Sequence, residues 1–370
     1  MLILIADDLT GAFDSAAPFA GRGMPTVVAL HPAALTEALA TGAQVVAVTT
    51  QSREIAADAA AARVAAVASA LPAGVRVFKK VDSRLKGHVA AELAALSPAP
   101  MLVAPAIPDF GRVVRDGAVT GFGVEVPIPV RDALGDLAAR AIVPDTETAK
   151  AMEAALAAAP DDALLVGARG LAEALAQRLS GRCPAEAPRP KADRVLMVVG
   201  SRDPITLAQV AALRAGGADW RAAPNGRLAD LRPVERLTLV QATPGVDRAT
   251  GADVAQALSA AVHPALTAGA GAVFLTGGAT AEAVMQAMGL NTLRLVGEVL
   301  PGVPLGLAAD GQMVIVKSGG FGGEDTLTRL SAILGGRDAG LGKQRRAAVA
   351  GRRGLRPAAA RDQIRRLPAR

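Results

Sequence analysis

The chain is poor in aromatic side chains: 2% of its 370 residues, with no Tyr and one Trp, Trp220. Nucleic-acid surfaces that stack bases need aromatic faces, so this scarcity argues against a nucleic-acid partner for the folded body. Cysteine is nearly absent. The single Cys183 can form neither an intrachain disulfide nor a cysteine-based zinc cluster. Three scattered histidines, His31, His88 and His263, show no metal-ligand spacing. No apolar run reaches the roughly 18–20 residues of a membrane span. The first residues lack a basic segment leading into an apolar core and cleavage site, and the expectation is a cytoplasmic protein with no membrane partner.

Glycine (39) and proline (24) are plentiful, in a chain that is 51% hydrophobic and 20% charged. Such a composition suits a globular protein of many short elements, and the length suits two domains. The net charge of +6 is uneven: residues 336–370 carry +9, leaving −3 for the remainder. The tail at 337–370 has no aromatics and little apolar periodicity, and reads as a disordered, solvated extension. Binding of a nucleic-acid or regulatory partner through this tail is the non-enzymatic alternative.

Short apolar runs alternate with Ala- and Leu-rich helical stretches from the start. Leu2–Ala6, Thr26–Leu30, Gln44–Thr49, Val75–Lys80 and Met101–Ala104 read as strands of a parallel sheet, whose members are continuously apolar because both faces are covered. Pro and Gly at short intervals over 105–130 predict a loop or hairpin excursion before the rhythm resumes near Leu164–Gly167. Residues 183–194 read as a linker. A second series follows, with strands at Val195–Val199, Leu237–Gln241, Ala272–Thr276 and Val314–Lys317. The predicted architecture is therefore α/β, with two mainly parallel domains, 1–182 and 195–336, and a site in the cleft between them.

Ligands of open α/β sheets bind beyond the carboxyl ends of the strands, so the strand-to-loop junctions carry the functional reading. In the second series three junctions bear glycine: "VVGSRDPIT", "FLTGGATAEA" and "VKSGGFGGEDTL". Glycine lets a backbone approach a ligand closely, and a following helix start offers free N–H groups to phosphate. The candidate phosphate contacts are Ser201, Thr276, Gly277, Gly278, Ala279, Lys317, Ser318, Gly319, Gly320 and Gly322. No P-loop pattern and no G-x-G-x-x-G after a strand occurs. In the first series the junctions are polar. "ADDLTG" delivers Asp7 and Asp8, "TTQSRE" delivers Arg53, "KKVDSRLKGH" delivers Lys80, Asp82, Ser83 and Lys86, and "APAIPDFGR" ends at Arg112. Cations and hydroxyls converging with carboxylates suit a small polyhydroxylated anion. Phosphoryl transfer from ATP, with Mg²⁺ on the nucleotide, to a substrate hydroxyl is the simplest chemistry that joins the two walls.

The set "ADDLTGAFDSA", "KKVDSRLKG", "APAIPDFGR", "TGGATAEA" and "KSGGFGGED" resembles the four-carbon acid sugar kinase family, which includes 3-oxo-tetronate, D-threonate and D-erythronate 4-kinases. The resemblance runs in order from Leu2 to about Leu334. It implies an N-terminal sugar-acid domain and a C-terminal ATP domain. Carried over by motif, Asp7, Asp8, Arg53, Asp82 and Arg112 would face the sugar acid. Ser201, the Thr276–Ala279 turn and the Gly319–Gly322 loop would hold ATP. One of Asp7 or Asp8 is the expected hydroxyl-activating carboxylate, and the motif does not say which; the other is free to cap the helix after Thr10. The chain departs from the family's patterns at Gly200-Ser201-Arg202-Asp203 and at Lys86, where the family commonly has Arg. An aspartyl phosphatase is the enzymatic alternative, but its acids stand two residues apart, whereas adjacent residues on an extended chain diverge. A homodimer is left open.

Overall fold

The structure, a computed structural model, describes residues 1–96 and 100–336. The basic tail, for which the sequence predicts disorder, lies outside the described residues. The first series comprises β1 (Leu2–Ala6), β2 (Thr26–Ala29), β3 (Val45–Thr49), β4 (Arg76–Lys80) and β5 (Met101–Ala104). The excursion that follows is a small antiparallel sheet of β6 (Arg112–Arg115), β7 (Ala118–Gly121) and β8 (Ile128–Pro129). The chain then adds β9 (Ala141–Ile142) and β10 (Leu164–Gly167), and crosses 183–194 without helix or strand. The second series is β11 (Val195–Val199), β12 (Asp219–Pro224), β13 (Leu237–Thr243), β14 (Ala272–Thr276), β15 (Thr292–Leu300), β16 (Val303–Leu307) and β17 (Met313–Lys317).

These strands, apart from β6–β8, form one 14-stranded sheet in the order β12-β13-β11-β14-β17-β16-β15-β2-β3-β1-β4-β10-β5-β9. Each series is a parallel array, and antiparallel pairings of β17 with β16, β16 with β15, and β15 with β2 fuse the arrays. Three antiparallel steps set the arrays in opposite directions. Sheet twist opposes this: six steps separate β1 from β14, and at about 20–25° per step they accumulate roughly 120–150°. The carboxyl ends of the two arrays are thereby turned back toward a common side.

Within each array the chain reverses its direction of strand addition. Strands β2 and β3 lie on one side of β1 and β4 on the other; β12 and β13 lie on one side of β11 and β14 on the other. Such switch points open a crevice beyond the strand ends. Helix Leu9–Ala20 leaves the first of them and is buried along its whole length. Its small residues, Gly11, Ala12, Ala16 and Ala17, let it pack between the sheet and helix Arg169–Ser180.

Two buried ionic clusters sit under this end of the sheet. Arg169 donates through both terminal nitrogens to Glu298 of β15 and, at 3.1 Å, to Asp14 of the first helix, tying the two halves together. Lys79 of β4 pairs with Glu92 at 2.8 Å, at 0% and 2% side-chain exposure, and Glu92 also accepts from the Ser52 hydroxyl. Removing one member of such a pair leaves an uncompensated buried charge. Glu92→Ala is therefore expected to cost on the order of 3–5 kcal/mol, read as a lowered midpoint in urea unfolding.

Candidate active site

Strand β1 ends at Ala6, and the loop after β3 is stitched to that end. The Thr50 amide donates to Ala6 O at 2.8 Å and the Ser52 amide to Asp7 O at 2.9 Å. Gln51 between them adopts φ 51°, a left-handed turn that returns the chain toward β1. Arg53 then lies against both acids. Its Nε donates to Asp7 Oδ2, and one terminal nitrogen donates to Asp7 Oδ1 and Asp8 Oδ1, all at 2.7 Å. Asp82 stands 3.9 Å from the other terminal nitrogen.

The two acids divide the work. Asp8, in extended conformation, caps the first helix: it accepts from the Gly11 amide at 3.1 Å and the Thr10 hydroxyl at 2.5 Å. Asp7 is 2% exposed. Burial alone would raise its pKa, but the Arg53 hydrogen bond and the charges of Arg53, Lys79 and Lys80 prevail and hold it below the usual carboxylate range. Arg53 is only partly buried, and against the desolvation that would lower its pKa, Asp8, Asp7 and Asp82 push it up. Gly87 makes the close approach possible. At φ +86° it passes so near that a Cβ would lie 3.0 Å from Asp7 Oδ2.

The remaining sequence-predicted acceptor residues gather at the same opening. Lys80 and Asp8 flank Gly11, where a Cβ would come within 2.7 Å of the Lys80 ammonium and 2.4 Å of Asp8 Oδ1. Asp82 accepts from the Arg84 amide at 2.8 Å. Ser83 and Arg112 are mutual partners: Arg112 donates to the Ser83 hydroxyl at 2.5 Å and to Phe122 O at 3.0 Å. Burial and the neighbouring Arg84 lower the Arg112 pKa. Lys80, Asp82, Ser83, Arg84, Lys86 and Arg112 all line the cleft.

The opposite wall comes from β11, β14 and β17, which are adjacent in the sheet, so their carboxyl-end turns lie side by side. The turns interlock. A Cβ on Gly200 would fall 1.8 Å from Thr280 Oγ1, and one on Gly319 would fall 2.3 Å from Ser201 Oγ. Gly277, at φ +99°, opens helix Gly278–Ala287 and passes close to Ser201: a Cβ there would meet the Ser201 amide at 3.0 Å. Asp203 caps helix Pro204–Ala215, accepting from the Ile205 amide at 2.9 Å. Ser201, Gly277, Gly278, Ala279, Ser318, Gly319 and Gly320 line the cleft.

Three expected phosphate contacts are placed otherwise. Lys317 is fully buried, and its ammonium donates to Thr206 Oγ1 and to the carbonyls of Ser318, Gly319 and Phe321 at 2.8–3.2 Å. It is the peg around which the glycine loop curls, and burial brings its pKa down to about 8. Thr276 is buried beneath its turn, with its hydroxyl lacking a hydrogen-bond partner. Gly322, at φ +89°, packs on Thr326 and does not line the cleft. Thr206 and Gln209, one helical turn apart, also hold the loop through Gly319 O, Phe321 O and Gly323 O. Neither residue stands out in the sequence. Across the mouth, Phe321 of this loop stacks on Phe110 of the first half, with centroids 4.8 Å apart.

Between the walls lies a cleft of about 970 Å³. It also receives Glu282, which lies within the "TGGATAEA" stretch but is not among the site residues expected from the sequence. Glu282 sits four residues beyond Gly278 on the same helix, hence on the same face, and approaches Asp8 from the second half. Burial, with the Asp8 charge beside it, raises its pKa to about 7 against the opposing pull of the Leu9 amide, Arg53 and Arg63. Among the described residues no group of three or more His, Cys, Asp or Glu side chains forms a cage for a metal ion.

Family profiles match both halves. Residues 2–129 match one described as a sugar-binding N-terminal domain, and residues 227–327 one described as a nucleotide-binding C-terminal domain. The chain is 35% identical to a D-threonate kinase of Bordetella bronchiseptica, over 90% of this chain and 96% of that protein. It is 34% identical to a D-threonate kinase of Cupriavidus necator (88% and 96%) and 29% identical to a 3-oxo-tetronate kinase of Methylobacterium radiotolerans (88% and 97%). Solved structures from Salmonella typhimurium and Haemophilus influenzae share the fold, with TM-scores of 0.70 and 0.65 at 22% identity; they cover 89% and 87% of this chain and 98% and 97% of their own.

The raised Glu282 pKa has a measurable consequence. Between its ordinary value of 4.5 and about 7, the folded protein holds a proton that the unfolded chain has released. That proton favours folding at the acid end of the window, so this group's contribution to stability falls as pH rises through it. Glu282→Gln cannot titrate. Its unfolding midpoint relative to the unmodified protein should therefore climb from pH 4.5 to 7; a constant difference would show that the carboxyl is unperturbed.

Proposed function

This chain belongs to the four-carbon acid sugar kinase family, transferases acting on sugar acids, and from that premise we propose that it moves the γ-phosphoryl group of Mg-ATP to the terminal hydroxyl of a four-carbon sugar acid such as D-threonate or a 3-oxo-tetronate. The observation that carries this reading is the meeting of two unlike walls in one cleft. One wall is a carboxylate-cation array and the other a set of three glycine-bearing turns.

On the first wall, Lys80, Arg84, Lys86 and Arg112 supply positive charge for the substrate carboxylate, and the oxygens of Asp7 and Asp8 accept from its hydroxyls. Arg112 is already anchored to Ser83 and Phe122, so it meets the ligand in a fixed pose with little rotamer entropy left to lose. Lys86 offers a point charge where a guanidinium would offer a fork, which loosens the geometric demand on the carboxylate. On the second wall, the backbone N–H groups at Ser201, Gly278 and Gly319–Gly320 and the start of helix Gly278–Ala287 suit phosphate oxygens. Mg²⁺ bound to the nucleotide would supply charge neutralisation at the transferring group. Access from both halves brings acceptor and donor into one orientation, which is most of what phosphoryl transfer requires of a protein.

Purified protein supplied with Mg-ATP and a panel of four-carbon sugar acids should release ADP with D-threonate or 3-oxo-tetronates; folded protein that releases none with any member contradicts the reading. Arg53→Lys breaks the fork on Asp7 and Asp8. It should lower kcat/KM by roughly 10- to 100-fold, the value of charged hydrogen bonds worth about 1.5–3 kcal/mol. Unchanged kinetics would remove Arg53 from the site.

A further inference from the structure

We propose that Glu282, reaching in from the nucleotide-side helix, is the group that takes the proton from the acceptor hydroxyl, in place of Asp7 or Asp8. This assignment rests on the kinase reading above and deepens it.

The geometry comes first. Glu282 and Gly278 occupy successive turns of one helix face, and both line the cleft. Gly278 belongs to the turn that opens the helix, and Glu282 approaches Asp8 and the Leu9 amide on the far wall. The carboxyl therefore borders the same cleft as the glycine turns and the acids of the first half, close to Asp8. Neither aspartate is equally suited. Both Asp7 oxygens are taken by Arg53, and Asp8 is committed to Arg53, Thr10 and the Gly11 amide. A carboxylate held in that way orients a hydroxyl but is a weak base. The groups facing Glu282 are Asp8, Arg53 and Arg63 with the Leu9 amide, a set drawn from the β1 and β3 loops and helix Ala57–Ser69. Its pKa near 7 matches a base that works at neutral pH.

The step balances without a further reactant. The acceptor oxygen forms a bond to the γ-phosphorus, and the bond from γ-phosphorus to the β–γ bridging oxygen breaks. The electron pair leaves with ADP, the hydroxyl proton passes to the Glu282 carboxylate, and solvent removes it before the next turnover.

The test compares wild type, Glu282→Gln and Glu282→Asp in steady-state kinetics across pH, with sugar-acid and ATP-analogue binding followed by calorimetry. Wild-type kcat should fall toward acid with a midpoint near 7, as the base becomes protonated. Glu282→Gln should lose about 100-fold or more in kcat while binding both ligands as wild type does, and its residual rate should lack the acid limb. Glu282→Asp should recover part of the rate together with the limb. Retention of wild-type kcat, survival of the limb in Glu282→Gln, or loss of ligand binding in place of turnover would each overturn the assignment. Absence of turnover in the wild type would instead overturn the kinase reading, and this assignment with it.

Discussion

The grip of Arg53 on Asp7 and Asp8 is the interaction on which the rest of the site depends. Two carboxylates side by side at a buried strand end repel each other, and burial penalises each. One guanidinium answers both, with three hydrogen bonds of 2.7 Å. Its placement is built from below: Lys79 neutralises Glu92, Glu92 holds Ser52, and Ser52 fixes the loop that carries Arg53. Gly87 leaves room for the pair, and Asp8 uses its remaining capacity to start the first helix. The acids thus become fixed hydrogen-bond acceptors. They are poorly placed to serve as nucleophiles or as free bases.

The sheet converts this local device into a two-sided site. The parallel arrays run in opposite directions, and an open cleft between their carboxyl ends depends on accumulated twist across the antiparallel join. Arg169 secures that join by pairing helix Arg169–Ser180 with both Asp14 and Glu298. On the far wall, rigidity comes from contact between turns that only glycine permits, and from Lys317, whose charge is spent on the loop's own carbonyls. The Phe110–Phe321 stack then links that loop to the first half.

Much of this is legible in the chain itself. Runs such as Leu2–Ala6 and Ala272–Thr276 are apolar at nearly every position because both faces are covered, and they are strands in the structure with those bounds. The glycine-bearing junctions and "ADDLTG" point to the two walls, and the expectation that one acid caps the helix after Thr10 matches Asp8. Strands β12, β15 and β16 do not show in the sequence pattern. Arg221 and Glu298 interrupt β12 and β15 with charges, and the partner that neutralises Glu298 is Arg169, far away in sequence. Lys317 reads as a phosphate ligand because a lysine after an apolar strand carries the same letters whether its ammonium points out or curls under. Glu282 is passed over although it lies within "TGGATAEA": the stretch draws attention to its glycine turn, and only the facing half gives the acid four residues beyond Gly278 its partners.

The central claim is direct transfer between two ligands held on opposite walls, with Asp7 and Asp8 restrained by Arg53. The most direct measurement is the stereochemical course at phosphorus, using ATP made chiral at the γ-position with sulfur and oxygen isotopes. A single in-line displacement inverts the configuration. Inversion in the sugar-acid product is the expected result. Retention would require two successive displacements through a phosphorylated side chain, and would contradict the roles of Arg53 and its two carboxylates as fixed acceptors of hydrogen bonds.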